Sequence, residues 1–578
     1  MANSIKKRGQ KIVRKFSRVS VKARAESKEH IRENVFERIS HIFNIKLLIL
    51  EWSLLMVALI LLAATQAFWF TGTYAEDGFI GGGTYSEATI GAVNSMNPLF
   101  ASTNSEKVLS RLMFSTLTTI DYSGNIGMGL AKSLIASENG RVWTMRLRDD
   151  LKWSDDQPIT NEDVMFTIDI IKNAAVNTNY DSNLTGVNVA EKETGEIVFT
   201  LPSAYADFPT ALQIPIVPKH ELDDTSYKTI IEDDFSNAPV TSGAFTFNAK
   251  QAASLTGGEI VYLSANPNYY LGKPMLSTFA VYAFDTKAEL IASMNNATVT
   301  ATAELSGTDI KEVTSEVYNI KNSSIDTGAF IFFNNSNGKL KSRDFRNAIR
   351  RGIDLGRIRS VALETIAINY PLIASQIALQ SYPALPDYNF DYAKSKIAEL
   401  SGGETVHLNI ATVNSGFLPY VSELLKEELV SLGIEAEVNV YEETQEFIAN
   451  IISRRNYDIL VYEIELGAEP DLLPYYHSSQ ASSTGFNLSN YRNALVDDLL
   501  IAARETLDTS LRAKKYESFL EYWVNDVPAI GLYQANMTYL YNKNVRTYGD
   551  GVRLVTGLDR FSDVNNFAVN KTSLNKTP

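Results

Sequence analysis

The run Val406-His407-Leu408-Asn409-Ile410, then Gly433-Ile434-Glu435-Ala436-Glu437-Val438-Asn439-Val440, then Ile459-Leu460-Val461-Tyr462 decides the fold class. In the first two segments apolar residues alternate with polar ones, the period-2 mark of strands. Between them Val421, Leu424, Leu425, Leu429 and Leu432 recur at helical spacing, and Gly433 stands where a left-handed C-terminal cap is expected. Phe447, Ile448, Ile451 and Ile452 predict a second helical face ended by Asn456, before the apolar run Ile459–Tyr462. Strand, helix, strand, helix, strand is the unit of an open, doubly wound α/β sheet. Such sheets bind ligands outside the carboxyl ends of their strands.

The chain around this unit has 578 residues, 45% hydrophobic and 21% charged, enough for several folding units and ordinary for globular protein. It has no cysteine, which excludes disulfides, thiolate nucleophiles, thiolate metal sites and a lipidated cysteine anchor. The five histidines are scattered without metal-ligand spacing, so neither a metal nor a cofactor is expected. There is no GxSxG elbow, no GxxxxGK[ST] phosphate loop and no GxGxxG turn. Acidic pairs such as Asp149-Asp150, Asp155-Asp156 and Asp233-Asp234 read as turns or solvated surface. No catalytic residue is assigned, and an enzyme is not expected.

Charge is unevenly placed. Residues 1–46 hold 13 Lys+Arg against 4 Asp+Glu, a charge of +9, so the formal −14 of the whole leaves −23 on residues 47–578. Between the two lies the uncharged stretch Trp52–Ala75, 24 residues that span about 36 Å as a helix and suffice for a ~30 Å hydrocarbon core. Trp52 at one end and Phe68-Trp69-Phe70 with Tyr74 at the other suit the two interfaces. The expectation is one transmembrane helix within 47–75. The basic tail 1–46 then lies in the cytoplasm and the acidic body outside the cell membrane. The tail is read as a topology and lipid signal rather than a nucleic-acid site. Glu76 to Gly83, Gly-rich at its end, reads as a stalk over 76–83.

The segment Trp143-Thr144-Met145-Arg146-Leu147-Arg148 … Leu151-Lys152-Trp153-Ser154-Asp155-Asp156-Gln157-Pro158 … Thr160-Asn161-Glu162-Asp163-Val164 reads locally as strand, turn and helix, with Thr160 and Asp163 as a variant capping box. It resembles the signature region of the family 5 extracellular solute-binding proteins, the oligopeptide and dipeptide receptors of ABC importers. Further stretches resemble the family in order: Ser95-Met96-Asn97-Pro98-Leu99, Pro218-Lys219-His220, Asn266-Pro267-Asn268-Tyr269-Tyr270, Asp344-Phe345-Arg346-Asn347-Ala348, and Asp526-Val527-Pro528-Ala529-Ile530-Gly531-Leu532-Tyr533. Three departures stand out. Asp156 replaces the usual Gly of a WSDG turn, Pro239–Phe245 replaces a G-(T/S)-G-P-(F/Y) loop, and Glu463–Asp471 replaces the GW-x-(A/G)-D segment. In peptide-binding relatives the Asp of that last segment pairs with the ligand's ammonium.

The resemblance implies a two-lobed, periplasmic-binding-protein-like (type II) α/β fold with doubly wound sheets and a hinge. Its expected divisions are lobe I over 84–318, lobe II over 319–530, a return to lobe I over 531–569 and a tail over 570–578. The motifs are expected to be structural, and the candidate ligand contacts are Asn94, Asn97, Thr241, Ser242, Gly243, Glu463, Glu465 and Glu469. Glu465, or else Glu463 or Glu469, is expected to supply the negative charge. The implied partners are a peptide ligand and the permease and ATPase subunits of an ABC importer, with the receptor itself a monomer. The alternative is a sensor or scaffold that keeps the fold without transport, since a fold does not establish a function.

Overall fold

A computed structural model describes residues 46–173, 176, 178–180, 184–223, 229–253, 258–307, 309–362, 365–442 and 444–575. The chain divides into two compact units, Met1–Gly78 with Thr572–Pro578, and Phe79–Lys571. In the first unit a 29-residue helix runs Lys46–Tyr74. Side chains are described over 50–66 of it, and all are exposed. Among the described residues no helix is long and apolar enough to cross a membrane, so the transmembrane character expected of 47–75 is not carried by the structure. The basic tail lies outside the described residues apart from Lys46. The expected stalk is corrected in part: Ala75–Ile80 is a strand paired with Asn570–Asn575 of the expected tail.

The second unit is built on one eleven-stranded mixed sheet. Its strands are β1 (Thr84–Ile90), β2 (Phe245–Ala252), β3 (Glu259–Ala265), β4 (Thr278–Phe284), β5 (Ala301–Thr302), β6 (Tyr318–Phe333), β7 (Ile366–Ala367), β8 (Val406–Val413), β9 (Ile434–Tyr441), β10 (Ile459–Glu465) and β11 (Ala529–Asn542). Their order is β9-β8-β10-β6-β11-β5-β1-β4-β3-β2, with β7 on β11. The α/β unit of lobe II is as expected, with β8 parallel to both β9 and β10 and the helix Leu418–Ser431 between β8 and β9. Gly433 has φ +87, the left-handed conformation that ends that helix without a Cβ penalty. The sheet as a whole is mixed rather than doubly wound throughout, because β6 and β11 run antiparallel through its centre.

Two cores flank that centre. One gathers Ile410, Leu425, Leu429 and Val461 with other buried residues between Ala329 and Tyr533. The other gathers Tyr85, Leu109, Trp153 and Phe279 with Tyr539, Phe561 and Phe567 from the far end of the chain. Each fully buried large aliphatic or aromatic side chain contributes roughly 1.5–3 kcal/mol relative to exposure, so each lobe holds itself together. The long strands β6 and β11 cross from one core to the other as partners, and their register breaks between Ser324 and Gly328.

The recurring motifs form two knots. In lobe I, Trp153 is fully buried, its carbonyl and Asp156 Oδ1 both accept from Asn268 Nδ2 (2.9 and 3.0 Å), and His220 packs edge-on to its ring. Asp163 caps its own helix through the Thr160 N–H (2.8 Å) and accepts the Lys219 N–H (2.9 Å). Asp156 adopts φ +70, which is why Gly is usual there. In lobe II, Arg346 is buried and donates to the carbonyls of Leu340, Asp526 and Val527, tying two motifs 180 residues apart.

Candidate functional site

At the crossing strands a cavity of about 820 Å³ is lined by β6 over Lys321–Ser324 and Asp326, by Gln534 of β11, by Ile366–Tyr370, Leu372–Ser375 and Tyr382 of lobe II, and by Asp550–Arg553 of lobe I. Asp326 sits at the register break, where the ladder leaves its backbone free to bond elsewhere. Its N–H donates to the Val555 carbonyl (2.9 Å) and its carbonyl accepts from the Leu466 N–H (2.8 Å), so one residue joins both lobes. Arg553 Nη2 donates to Asp326 Oδ2 at 2.5 Å and to the Ala468 carbonyl at 3.3 Å. Burial pushes the Asp326 carboxyl above its ordinary range, and the Arg553 guanidinium draws it back only in part. At the outer end Lys321 pairs with Asp550 (2.8 Å), and that ammonium holds the exposed Asp550 carboxyl below the usual range.

The lobe II wall is fixed from behind. Gln376 Nε2 donates to the Leu466 and Gly467 carbonyls (2.7 and 2.9 Å), which lie just past the carboxyl end of β10. Arg359 Nη2 donates to the Ile368 and Gly531 carbonyls, both at 2.8 Å. Tyr370 and Tyr382 form a tilted aromatic pair 4.9 Å apart. The cavity therefore lies near the carboxyl end of β10, where an open α/β sheet is expected to take a ligand, and its lining mixes aliphatic and aromatic surface with many polar groups.

The residues expected from sequence fall in three places. In lobe I, Asn97 is fully buried and its Oδ1 caps the Leu99 N–H (3.2 Å), whereas Asn94 is exposed and its N–H donates to Glu106 (2.8 Å). Thr241 and Ser242 are buried, their polar atoms engaged with Ser154, Phe245 and Ser115. Gly243 lies so close to the Leu112–Phe114 backbone that a Cβ would fall 2.5 Å from the Leu112 oxygen; it lines a separate hollow of about 350 Å³ within lobe I. In lobe II, Glu463 lies with Tyr533, whose hydroxyl donates to it (3.3 Å) and whose ring meets Phe417 edge-on. Cross-strand pairing of Glu463 with Ala329, and of Ala329 with Tyr533, puts this cluster on the face of β6 opposite Gln534. Glu465 is exposed at the end of β10, and Glu469 is paired with Arg512 at 2.6 Å. None of the eight lines the large cavity. Its own residues Lys321, Asp326, Tyr370 and Arg553 carry no local motif; the one trace is a polar break, Ser323-Ser324 and Asp326-Thr327, just before the apolar run Ala329–Phe333.

A second contact joins the lobes away from the hinge. The Ala206 N–H donates to the Arg504 carbonyl (2.8 Å), Arg504 lies 4.4 Å over the Tyr205 ring, and Arg504 pairs with Asp471 at 3.0 Å. Asp207 is buried there, accepting from the Thr210 hydroxyl (2.5 Å). Burial, with the nearby Asp471 and Glu469 charges, pushes its carboxyl well above the ordinary range. Among the described residues one group, Asp155, His220 and Glu221, has metal-ligand atoms within 4.8 Å of one another; all three are exposed, and His220 Nε2 already bonds Asp155 at 2.9 Å.

Two lobes on crossing strands around a cavity define a class, the hinged binding protein. Residues 125–487 match the family described as bacterial extracellular solute-binding proteins, family 5. The chain is 23% identical to the oligopeptide-binding protein AppA of Bacillus subtilis over 498 residues, 81% of this chain and 89% of AppA. The structure of AppA with a nonapeptide superposes with a TM-score of 0.68, covering 85% of this chain and all of AppA at 21% identity. CtaP of Listeria monocytogenes, an ABC transporter substrate-binding protein, gives 0.72 at 21% identity, covering 85% and 99% of the two chains. NikZ of Campylobacter jejuni with Ni(L-His) gives 0.69 at 22%, covering 84% and 99%. The chain belongs to the family 5 extracellular solute-binding proteins, which are binding receptors and not enzymes.

Proposed function

We propose that this receptor captures peptides in the cavity at the crossing strands and delivers them to the permease and ATPase of an ABC-type importer. The observation that carries the reading is the cavity's make-up, with walls from both lobes and a floor from the two strands that join them. A ligand there touches both lobes at once, so binding favours their closed arrangement over an open one. AppA, an oligopeptide-binding protein with a nonapeptide-bound structure, supports peptides as the cargo. We take the lobes as 84–318 with 531–569, and 319–530, although the core of the second also takes in Leu532 and Tyr533 at the start of the return.

The receptor is tethered by its own helix, Lys46–Tyr74, with the basic tail on the cytoplasmic side and the binding unit outside. Tethering raises its concentration at the permease, in the absence of a cysteine that lipid could modify. A variant lacking residues 52–74 is expected in the soluble fraction; its retention on membranes overturns the tether.

The test of the cargo is native mass spectrometry of the full-length protein, followed by identification of what is released on unfolding. Peptides are expected, and Ala374→Trp, which fills an exposed stretch of the cavity wall, should abolish their capture. A protein that releases none, and gains no thermal stability from a peptide library in which 100-fold excess over Kd contributes about 2.7 kcal/mol, is a sensor or scaffold instead.

A further inference from the structure

The lobe contact away from the hinge holds more carboxyls than cations to match them. Asp207 of lobe I meets Asp471 and Glu469, which follow β10 in lobe II and whose charges both act on it. Two guanidiniums face these acids, Arg504 of the helix Ala494–Glu505 and Arg512 of the helix Thr509–Asp526. Both are taken, Arg504 by Asp471 at 3.0 Å and Arg512 by Glu469 at 2.6 Å. Among the described residues no Lys or Arg pairs with Asp207, and the side chain bonded to its carboxyl is the Thr210 hydroxyl at 2.5 Å. Burial pushes the neighbouring phenols of Tyr205 and Tyr516 up, so neither adds a charge.

The same contact is closely packed. Leu507 of lobe II packs against the lobe I core, where a Cβ on Gly140 would fall 3.4 Å from the Leu507 Cγ. Asp207 is 7% exposed, and lobe II contributes to its cover through Arg504, which takes the N–H of the preceding residue, Ala206. When the lobes part about the crossing strands, that cover leaves and water returns to the carboxyl. An aspartate in water is ionised above about pH 3.9. When the lobes close, the ionised form loses water beside two like charges with no cation of its own, whereas the neutral form loses little.

We infer that closing the lobes draws a proton from solvent onto Asp207, so that acid favours the closed receptor and tightens its hold on whatever it encloses. One proton is taken up by the unpaired carboxylate on closing and returned to solvent on opening. Proton uptake and closure share one equilibrium, so each favours the other by the same factor. The sign follows from the raised value of the closed form. Below about pH 3.9 both forms hold the proton and closure is insensitive to pH. From there up to the raised value, closure gains up to about tenfold for each unit of acidification. The inference concerns the lobes and does not depend on the nature of the cargo.

The test is hydrogen exchange at the Ala206 N–H of the full-length protein without ligand, between about pH 5 and pH 8. That amide is bonded to the Arg504 carbonyl across the contact and is released when the contact opens. Its protection factor, corrected for the pH dependence of exchange itself, should rise toward acid by up to about tenfold per pH unit and stay level in Asp207→Asn. A merely structural role would move the level of protection and not its slope. Thr210→Val, which removes the bond that favours the ionised carboxyl, should shift the rise to higher pH, and it serves where Asp207→Asn fails to fold. A level profile in the natural protein, an unchanged slope in Asp207→Asn or an unmoved rise in Thr210→Val overturns the inference. So does an Ala206 N–H that exchanges no faster than that of Val281, buried in β4, because the contact then opens only when the lobe unfolds.

Discussion

Arg560 and Glu87, 473 residues apart, form a buried ion pair in lobe I, with Arg560 Nη2 2.6 Å from Glu87 Oε1. Arg560 Nε reaches the same oxygen at 2.8 Å, and Glu87 Oε2 accepts from the Tyr539 hydroxyl at 2.8 Å. The Tyr85 and Tyr539 hydroxyls share a bond of 2.6 Å beside it. Two charges out of water survive only with such full matching. Arg560→Met, which leaves Glu87 buried and unpaired, should cost about 3–5 kcal/mol, seen as a lower urea midpoint. The double variant Glu87→Met, Arg560→Met should recover much of that loss.

Glu106 organises the loop that leaves β1. Its carboxylate accepts the N–H groups of Asn94, Ser95, Ser102 and Thr103 at 2.7 to 3.1 Å, and the Ser102 hydroxyl at 2.9 Å. Burial pushes this carboxyl up, but the Ser102, Thr103 and Asn94 bonds outweigh it and the net shift is down. Its contribution is therefore present above the unfolded value of about 4.3 and is lost as pH falls through the lowered folded value. Glu106→Gln should cost about 1–3 kcal/mol near neutral pH, and thermal denaturation should show that deficit shrinking under acid.

Asp207 carries the opposite sign. Its folded value is raised, so the stability it contributes is complete below about pH 3.9 and is lost as pH rises through that raised value. Asp207→Asn removes the titration while keeping an acceptor for Thr210. The variant should melt higher than the natural protein at neutral pH, and the gap should narrow as pH is lowered toward 4. An equal gap at every pH would mean that the carboxyl is not shifted by the lobe contact.

The turn at Asp156 separates backbone strain from side-chain bonding. Asp156→Ala keeps the left-handed φ and loses the bond from Asn268, an expected cost of about 1–2 kcal/mol. Asp156→Gly loses the same bond but relieves the strain, so it should lie within about 1 kcal/mol of the natural protein. Equal losses in the two variants would show that the φ value carries no cost here.

The lobe II unit was legible because each of its signals is local: alternation at Val406–Ile410 and Ile434–Val440, helical spacing from Val421 to Leu432, and a glycine that φ requires at 433. The capping box at Thr160 and Asp163 was legible for the same reason. The crossing strands were not. The first half of β6, with Asn319, Lys321, Asn322 and Ser323, shows no clean alternation because it is a bridge between cores and not the face of one. The cavity was illegible since Asp326 and Arg553 meet across 227 residues of chain. Nor could the acidic run after β10 be sorted from sequence. Which of Glu463, Glu465 and Glu469 is matched depends on Tyr533, 70 residues on, and Arg512, 43 residues on.

The order of synthesis follows from where lobe I finds its last partners. Tyr539, Phe561 and Phe567 enter a core whose other members begin at Tyr85, and the cation that matches Glu87 is residue 560. A ribosome that has made all of lobe II has still not supplied them. The first lobe to be translated is thus the last to be finished, because neither its core nor its Glu87–Arg560 pair can close before residues 539–567 are made. Lobe II, whose core lies between Ala329 and Tyr533 in one run of chain, is under no such delay. A chain that has just completed lobe II therefore still carries an open N-terminal lobe, which closes only when its last core-forming residues arrive.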